Sequence, residues 1–250
     1  MPTGEPTVRS LVISMRAQFS FSQIWVNTMT MSGKESLSAE LSAFIRQPNF
    51  PCVGAKSALG REQIVSIEAS DMRCSADDAR IVASIHAFVR SYESEKKMFT
   101  SFAVIFEKPL RLSEAEFEAH LWARLRALNK MDAERFAWSE EVSDDPASPD
   151  FGFSMGGRAF FVVGLHPGAS RAARRTPRPT IVFNLHEQFQ DLRARGQYHR
   201  IKDVILDRDE KANGSINPMI AEHGQESEAR QYSGREVGED WRCPFAGADD

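Results

Sequence analysis

Cysteine is scarce in this chain of 250 residues, which holds three of them: Cys52, Cys74 and Cys243. An odd, widely spaced set is no disulfide framework, and without a Cys-x-x-Cys pair a thiolate-built structural zinc site is not expected. Long apolar runs are missing, so no membrane span is expected. The first apolar piece, Leu11 to Met15, is short and runs into Arg16, which does not make a signal peptide. The expectation is a cytoplasmic protein, and unpaired cysteines suit a reducing compartment. A basic excess is also missing: Lys plus Arg total 31 against 35 Asp plus Glu, a net charge of −4. No nucleic-acid partner is expected from that balance, and the lack of a long apolar run leaves no membrane partner expected either. No glycine-rich phosphate loop joins a strand to a helix, no His-x-x-x-His occurs, and no Gly-x-Ser-x-Gly occurs. These gaps argue against nucleotide folds, zinc metalloproteases and serine hydrolases.

What remains is ordinary for a globular chain, with 42% apolar and 26% charged residues. Residues 1–36 carry Met15, Met29 and Met31 among Ser, Thr and Gln, and read as a poorly ordered extension. The fold is therefore assigned to 37–250. Leu41, Phe44 and Ile45 suit a short amphipathic helix over Ser38 to Arg46, ended by Pro48. Residues 50–57 read as loop or extended chain. Ile81, Val82, Ile85, Phe88, Val89 and Tyr92 line one face of a helix from Ala76 to Tyr92. Phe102 to Phe106 reads as a buried strand. Ser113 and Glu116 form a capping box that opens a helix running to about Lys130. Phe151 to Met155, Gly156-Gly157 and Ala159 to Leu165 read as a β-hairpin. A strand over Thr180 to Leu185 and a helix from Glu187 to about Arg195 follow. From about Asp207 the chain shows little periodicity. The expectation is one α+β domain, with a mostly antiparallel sheet flanked by helices.

The segment richest in chemistry follows that hairpin. His166 ends a buried strand, and strand ends are where a scaffold presents side chains to a site. From His166 to Arg200 there are seven arginines against two acids. Arginine's planar fork suits phosphates and carboxylates, so an anionic ligand is one reading. A solvated basic face balanced by the acidic tail is the other. Among the remaining histidines, His86 reads as a satisfied core residue and His120 as a boundary residue. His199 reads as lying at a helix end where a cation is favoured, and His186 and His223 sit in loops or at element ends. Cys52 and Cys243 both neighbour proline, and without a local nucleophile signature they read as packing cysteines.

Several segments together resemble the YqcI/YcgG-like family. They are Phe50-Pro-Cys-Val-Gly-Ala-Lys-Ser57, Phe106-Glu-Lys-Pro109, Leu121-Trp122 through Asp132, Phe160 through Arg171, Pro179 to Asn184, Gly214 to Met219, Gln231 to Gly234, and Trp241 to Phe245. The Asn-Pro-Met and Gln-Tyr-Ser-Gly pieces look closest to the heme-dependent L-arginine N-hydroxylases of D-cycloserine and guanitoxin biosynthesis. The resemblance implies heme b, molecular oxygen or peroxide, an external electron donor, and L-arginine or another guanidino substrate. It implies an antibiotic-type biosynthetic step. On that resemblance His166 is the expected axial ligand, with Cys243 as its rival. Arg171, Arg174 and Arg175 are expected near the propionates and Phe160 along the slot. Glu107, Glu187 and Asp132 are the expected carboxylate partners of a guanidinium. A non-catalytic heme-binding sensor, or a heme oxidase or peroxidase acting on another amine, stands as the alternative.

Overall fold

The computed structural model describes residues 36–221 and 224–246. The expected extension up to residue 35, and His223, lie outside the described residues. The central sheet has five strands: β1 (Ile64–Asp71), β2 (Ser101–Lys108), β3 (Phe153–Met155), β4 (Arg158–Leu165) and β5 (Thr180–Leu185), in the order β1-β2-β5-β4-β3. Three of its four pairings are antiparallel, and β1 with β2 is parallel. The chain is thus a single α+β domain with a mostly antiparallel sheet flanked by helices. The parallel pair follows from connectivity. A helix, α3 (Asp78–Glu95), joins β1 to β2, and a parallel pair needs a long crossover of that kind.

One face of the sheet carries a packed core. Phe102, Val104 and Phe106 of β2, Phe160 and Val162 of β4, and Ile181 and Phe183 of β5 share that face, as period-two alternation requires. On them lie α3 and α4 (Glu114–Asp132). The inward residues Ile81, Ile85, Phe117, Leu121, Trp122 and Leu125 are all fully buried. The capping box at the start of α4 is made: the Ser113 hydroxyl accepts the Glu116 N–H at 3.2 Å, and the Glu116 carboxylate accepts the Ser113 N–H at 2.8 Å. The β3–β4 turn uses Gly156 at φ +59° and Gly157 at φ +70°, the left-handed pair that a two-residue hairpin demands. At Gly164 an added Cβ would stand 2.7 Å from the Phe117 ring and 2.9 Å from the Tyr232 carbonyl oxygen, so the glycine lets α4 sit close on β4.

The other face is covered by α1 (Leu37–Arg46), α2 (Val53–Gly60), α5 (His186–Ala194) and α6 (Tyr198–Asn213). Two of these helices and one strand differ from the sequence expectation. Residues 53–60 form a helix rather than loop or extended chain. Ile64–Asp71 is a strand that the pattern did not reveal. The helix α6 runs through Asp207 to Asn213, where irregular chain was expected. Only α1 buries a full apolar stripe, Leu37, Leu41, Phe44 and Ile45. In α2 the one buried residue is Ala58, and in α6 it is Asp209. Among the described residues no helix is long and apolar enough to cross a membrane.

Candidate functional site

The weak burial of α2 and α6 has a structural cause. Their apolar residues face a cavity of about 430 Å³ rather than a core. Its floor is the second face of the sheet: Phe161, Val163 and Leu165 of β4 alternate with the core residues of that strand, and Val182 of β5 extends the floor. Phe44, Phe50 and Phe99 line it, as do Ile201, Ile205 and Leu206 of α6. A concave, mostly apolar space of this size between helices and a sheet is what a small molecule or cofactor needs.

A few polar groups punctuate that lining. Cys52 is the N-cap of α2, and its Sγ accepts the Ala55 N–H at 3.4 Å. Burial pushes its thiol pKa up, while the backbone N–H groups and Arg174 oppose that rise. Arg174 spreads its donors over backbone carbonyls: Gly164 at 3.1 Å, Tyr232 at 3.0 Å and Gln231 at 2.9 Å. Its pKa is lowered to about 10, chiefly by desolvation. Arg171 pairs with Asp209 and donates to the Ser215 carbonyl at 2.7 Å, but its buried Nε has no hydrogen-bond partner. The Thr100 hydroxyl is likewise buried without one. Arg193 lies over the Tyr198 ring at 4.3 Å, and both residues line the cavity. His186 bonds Glu228 at 2.9 Å, and Tyr232 reaches the same carboxylate at 3.4 Å. Among the described residues, Asp209, Glu226 and Glu228 are the carboxylates that line the cavity.

Of the residues singled out in the sequence, Cys52, Arg171, Arg174 and His186 line the cavity and the others among the described residues stand elsewhere. His166 is on the opposite face of the sheet. Its ring stacks on Phe117 at 4.2 Å and 18°, it is 1% exposed, and its Nδ1 has no hydrogen-bond partner. Burial lowers its pKa from 6.5 to about 4, and nearby Glu114 opposes that shift. Phe160 also faces the core, edge-on to Phe183 at 6.0 Å, and its neighbour Phe161 is the one at the cavity. Arg175 is exposed and clasps its own loop through the Ala169 and Ser170 carbonyls. Cys243 packs beside Trp241 and Phe245 on the core side, with burial pushing its pKa up to about 12. Asp132 is buried against His86 at 2.5 Å and accepts the Gly156 N–H at 3.0 Å, which ties the hairpin turn to α3 and α4. Glu187 bridges Lys96 and Arg158, and Glu107 is an exposed residue near the end of β2. None of these three carboxylates lines the cavity. His199 lies in the first turn of α6 rather than at a helix C-terminus, the end that favours a cation.

Sequence reasoning took Cys52 for a packing cysteine, and passed over Arg193 as a separate site and the apolar residues of α6. The spacing of Tyr198, Ile201 and Ile205 carries a helical stripe and was the available signal. The position of Cys52 directly before a helix was legible only once residues 53–60 were recognised as helical. A family model for the YqcI/YcgG family matches residues 41–246. No curated protein and no solved structure shows a significant match to the chain.

Proposed function

As the chain belongs to the YqcI/YcgG family, we propose that it binds heme b in the cavity on the second face of the sheet and hydroxylates a guanidino nitrogen of L-arginine or a related compound. The observation that carries this reading is the cavity itself: an apolar floor of Phe161, Val163, Leu165 and Val182 with cationic and thiol groups at its wall. The residues fit the group. A porphyrin needs an apolar slot, an axial donor and cations for two propionates. The strand floor supplies the slot. Arg193 and the unsatisfied Nε of Arg171 supply donors that suit carboxylates. When bound, heme supplies oxygen activation, so that one oxygen atom enters an N–H bond and the other leaves as water.

With dioxygen the balance needs two electrons and two protons from an external donor, and with peroxide it needs neither. The protein's own part is binding, orientation and proton handling. Asp209, Glu226 and Glu228 are the acceptors within the cavity for a guanidinium, in place of Glu107, Glu187 and Asp132. Glu228 and His186 form a hydrogen-bonded pair at the wall that can hold a proton close to the substrate nitrogen. The apolar lining and the cover of α6 keep bulk water from that nitrogen.

The test is expression with heme supplied, an absorption spectrum, then incubation with L-arginine, dioxygen and a chemical reductant, or with peroxide. The expected result is a Soret band and an N-hydroxylated guanidine detected by mass. A colourless protein overturns the reading. A coloured protein that forms no hydroxylated product from any guanidino compound leaves heme binding standing and overturns the reaction, in favour of a sensor.

A further inference from the structure

We propose that Cys52, as a thiolate, is the axial ligand of the heme iron, an inference that rests on the heme-binding reading above. Side chains that hold heme iron are those of His, Cys, Met and Tyr. Among the described residues that line the cavity, these kinds are represented by Cys52, His186 and Tyr198. His186 is 5% exposed and already directs Nε2 to Glu228 at 2.9 Å. The ring of Tyr198 is covered by the Arg193 guanidinium. Cys52 differs from both. Its Sγ is at the start of the eight-residue helix α2, where N–H groups carry partial positive charge and oppose the rise that burial imposes on its thiol pKa. The Ala55 N–H already points at that sulfur. Hydrogen bonds of this kind hold a thiolate ligand in place and tune it.

The surroundings point to a ligand independently of the cysteine. The cavity lining holds two buried polar atoms without partners, Arg171 Nε and Thr100 Oγ1. Phe50, Phe99 and Phe44 surround the thiol's side of the cavity, and Val163 and Leu165 form its floor. The other two candidates stand on the far side of the sheet. His166 is stacked on Phe117 of α4, and Cys243 is packed into the aromatic group around Trp122. Neither lines the cavity. Coordination exchanges the S–H bond of Cys52 for an S–Fe bond, and the proton leaves to solvent. Thiolate ligation pushes electron density toward the iron and favours O–O cleavage, which suits an oxygen-inserting reaction.

The test compares the full chain with its Cys52→Ser, Cys243→Ser and His166→Ala variants, each expressed with heme supplied. The readouts are the absorption spectrum of the reduced carbon monoxide complex and the ferric electron paramagnetic resonance spectrum. Serine is a preferred N-cap, so Cys52→Ser keeps the cap on α2 and the fold, and far-ultraviolet circular dichroism checks that it does. The expected result is the strongly red-shifted Soret band of a thiolate–carbonyl complex in the wild type, lost in Cys52→Ser and retained in Cys243→Ser and His166→Ala. A wild-type spectrum of the imidazole type, or a thiolate spectrum that survives Cys52→Ser, overturns the ligand assignment and leaves heme binding intact. A wild type that takes up no heme overturns both.

Discussion

Val162 and Val163 are neighbours on β4 that face opposite ways, and the account assigns them opposite responses to one substitution. Val162 is 0% exposed in the core beneath α4, while Val163 floors the cavity. Val→Phe adds four carbon atoms at either position. At Val162 the core is already full, and overpacking costs about 1–3 kcal/mol. At Val163 the cavity of about 430 Å³ accepts the ring. Withdrawing about 40 Å² of added ring surface from water contributes about 1 kcal/mol at about 25 cal/mol per Å². The two variants should therefore differ by about 2–4 kcal/mol in stability. A difference of that size separates their midpoints by several degrees, since about 1 kcal/mol moves Tm by about 2–4 °C in a domain of this length. The assay is thermal and urea unfolding of the heme-free protein followed by circular dichroism. Val163→Phe should also lower heme uptake, because it fills the floor of the slot. If the two variants are equally destabilised, Val163 lies in a packed core and the cavity does not exist in solution.

Further consequences follow from His166 and Gly164. With His166 at about 4 in the folded state and 6.5 unfolded, its contribution to stability is fully present above pH 6.5 and falls as the pH drops toward 4. At pH 5 the unfolded chain binds a proton there and the folded chain does not, a loss of about 2 kcal/mol. His166→Leu should remove that part of the acid sensitivity, measured as urea midpoints at pH 7.5 and pH 5. An unchanged pH dependence would show that the ring is not buried as a neutral group. Gly164→Ala places a methyl group against Phe117 and the Tyr232 carbonyl, and should cost about 1–3 kcal/mol by thermal melting. A neutral effect would mean that α4 does not lie close on β4.

The two layers of the fold were unequally legible in the sequence, for a physical reason. The α3 and α4 stripes, the capping box, the Gly-Gly hairpin and the apolar runs of β2 and β5 are local patterns tied to a packed core. Each showed as periodicity. The cavity-side elements were obscured because they bury so little. The helix α6 keeps Val204 exposed and its remaining apolar residues half-buried around a space, among charged neighbours. The strand β1 lies at the sheet edge and mixes Ser66, Glu68 and Ser70 with its apolar residues, which hides the alternation. The site suffered most. His166 and Leu165 are adjacent, but one meets α4 and the other meets the cavity. Which of them does so depends on strand parity and on which face each helix covers, and neither is a local property. The arginine cluster showed the same limit. Arg171 and Arg174 reach the cavity and Arg175 turns outward, although all three stand within five residues.

The cofactor is proposed on the second face of the sheet, not on the α3–α4 face. The most direct measurement is a crystal structure of the protein purified with heme. The expected result is the porphyrin against Phe161, Val163 and Leu165, with iron bonded to Cys52 Sγ. Density for the porphyrin beside Phe160 and His166, with iron on His166, would contradict it.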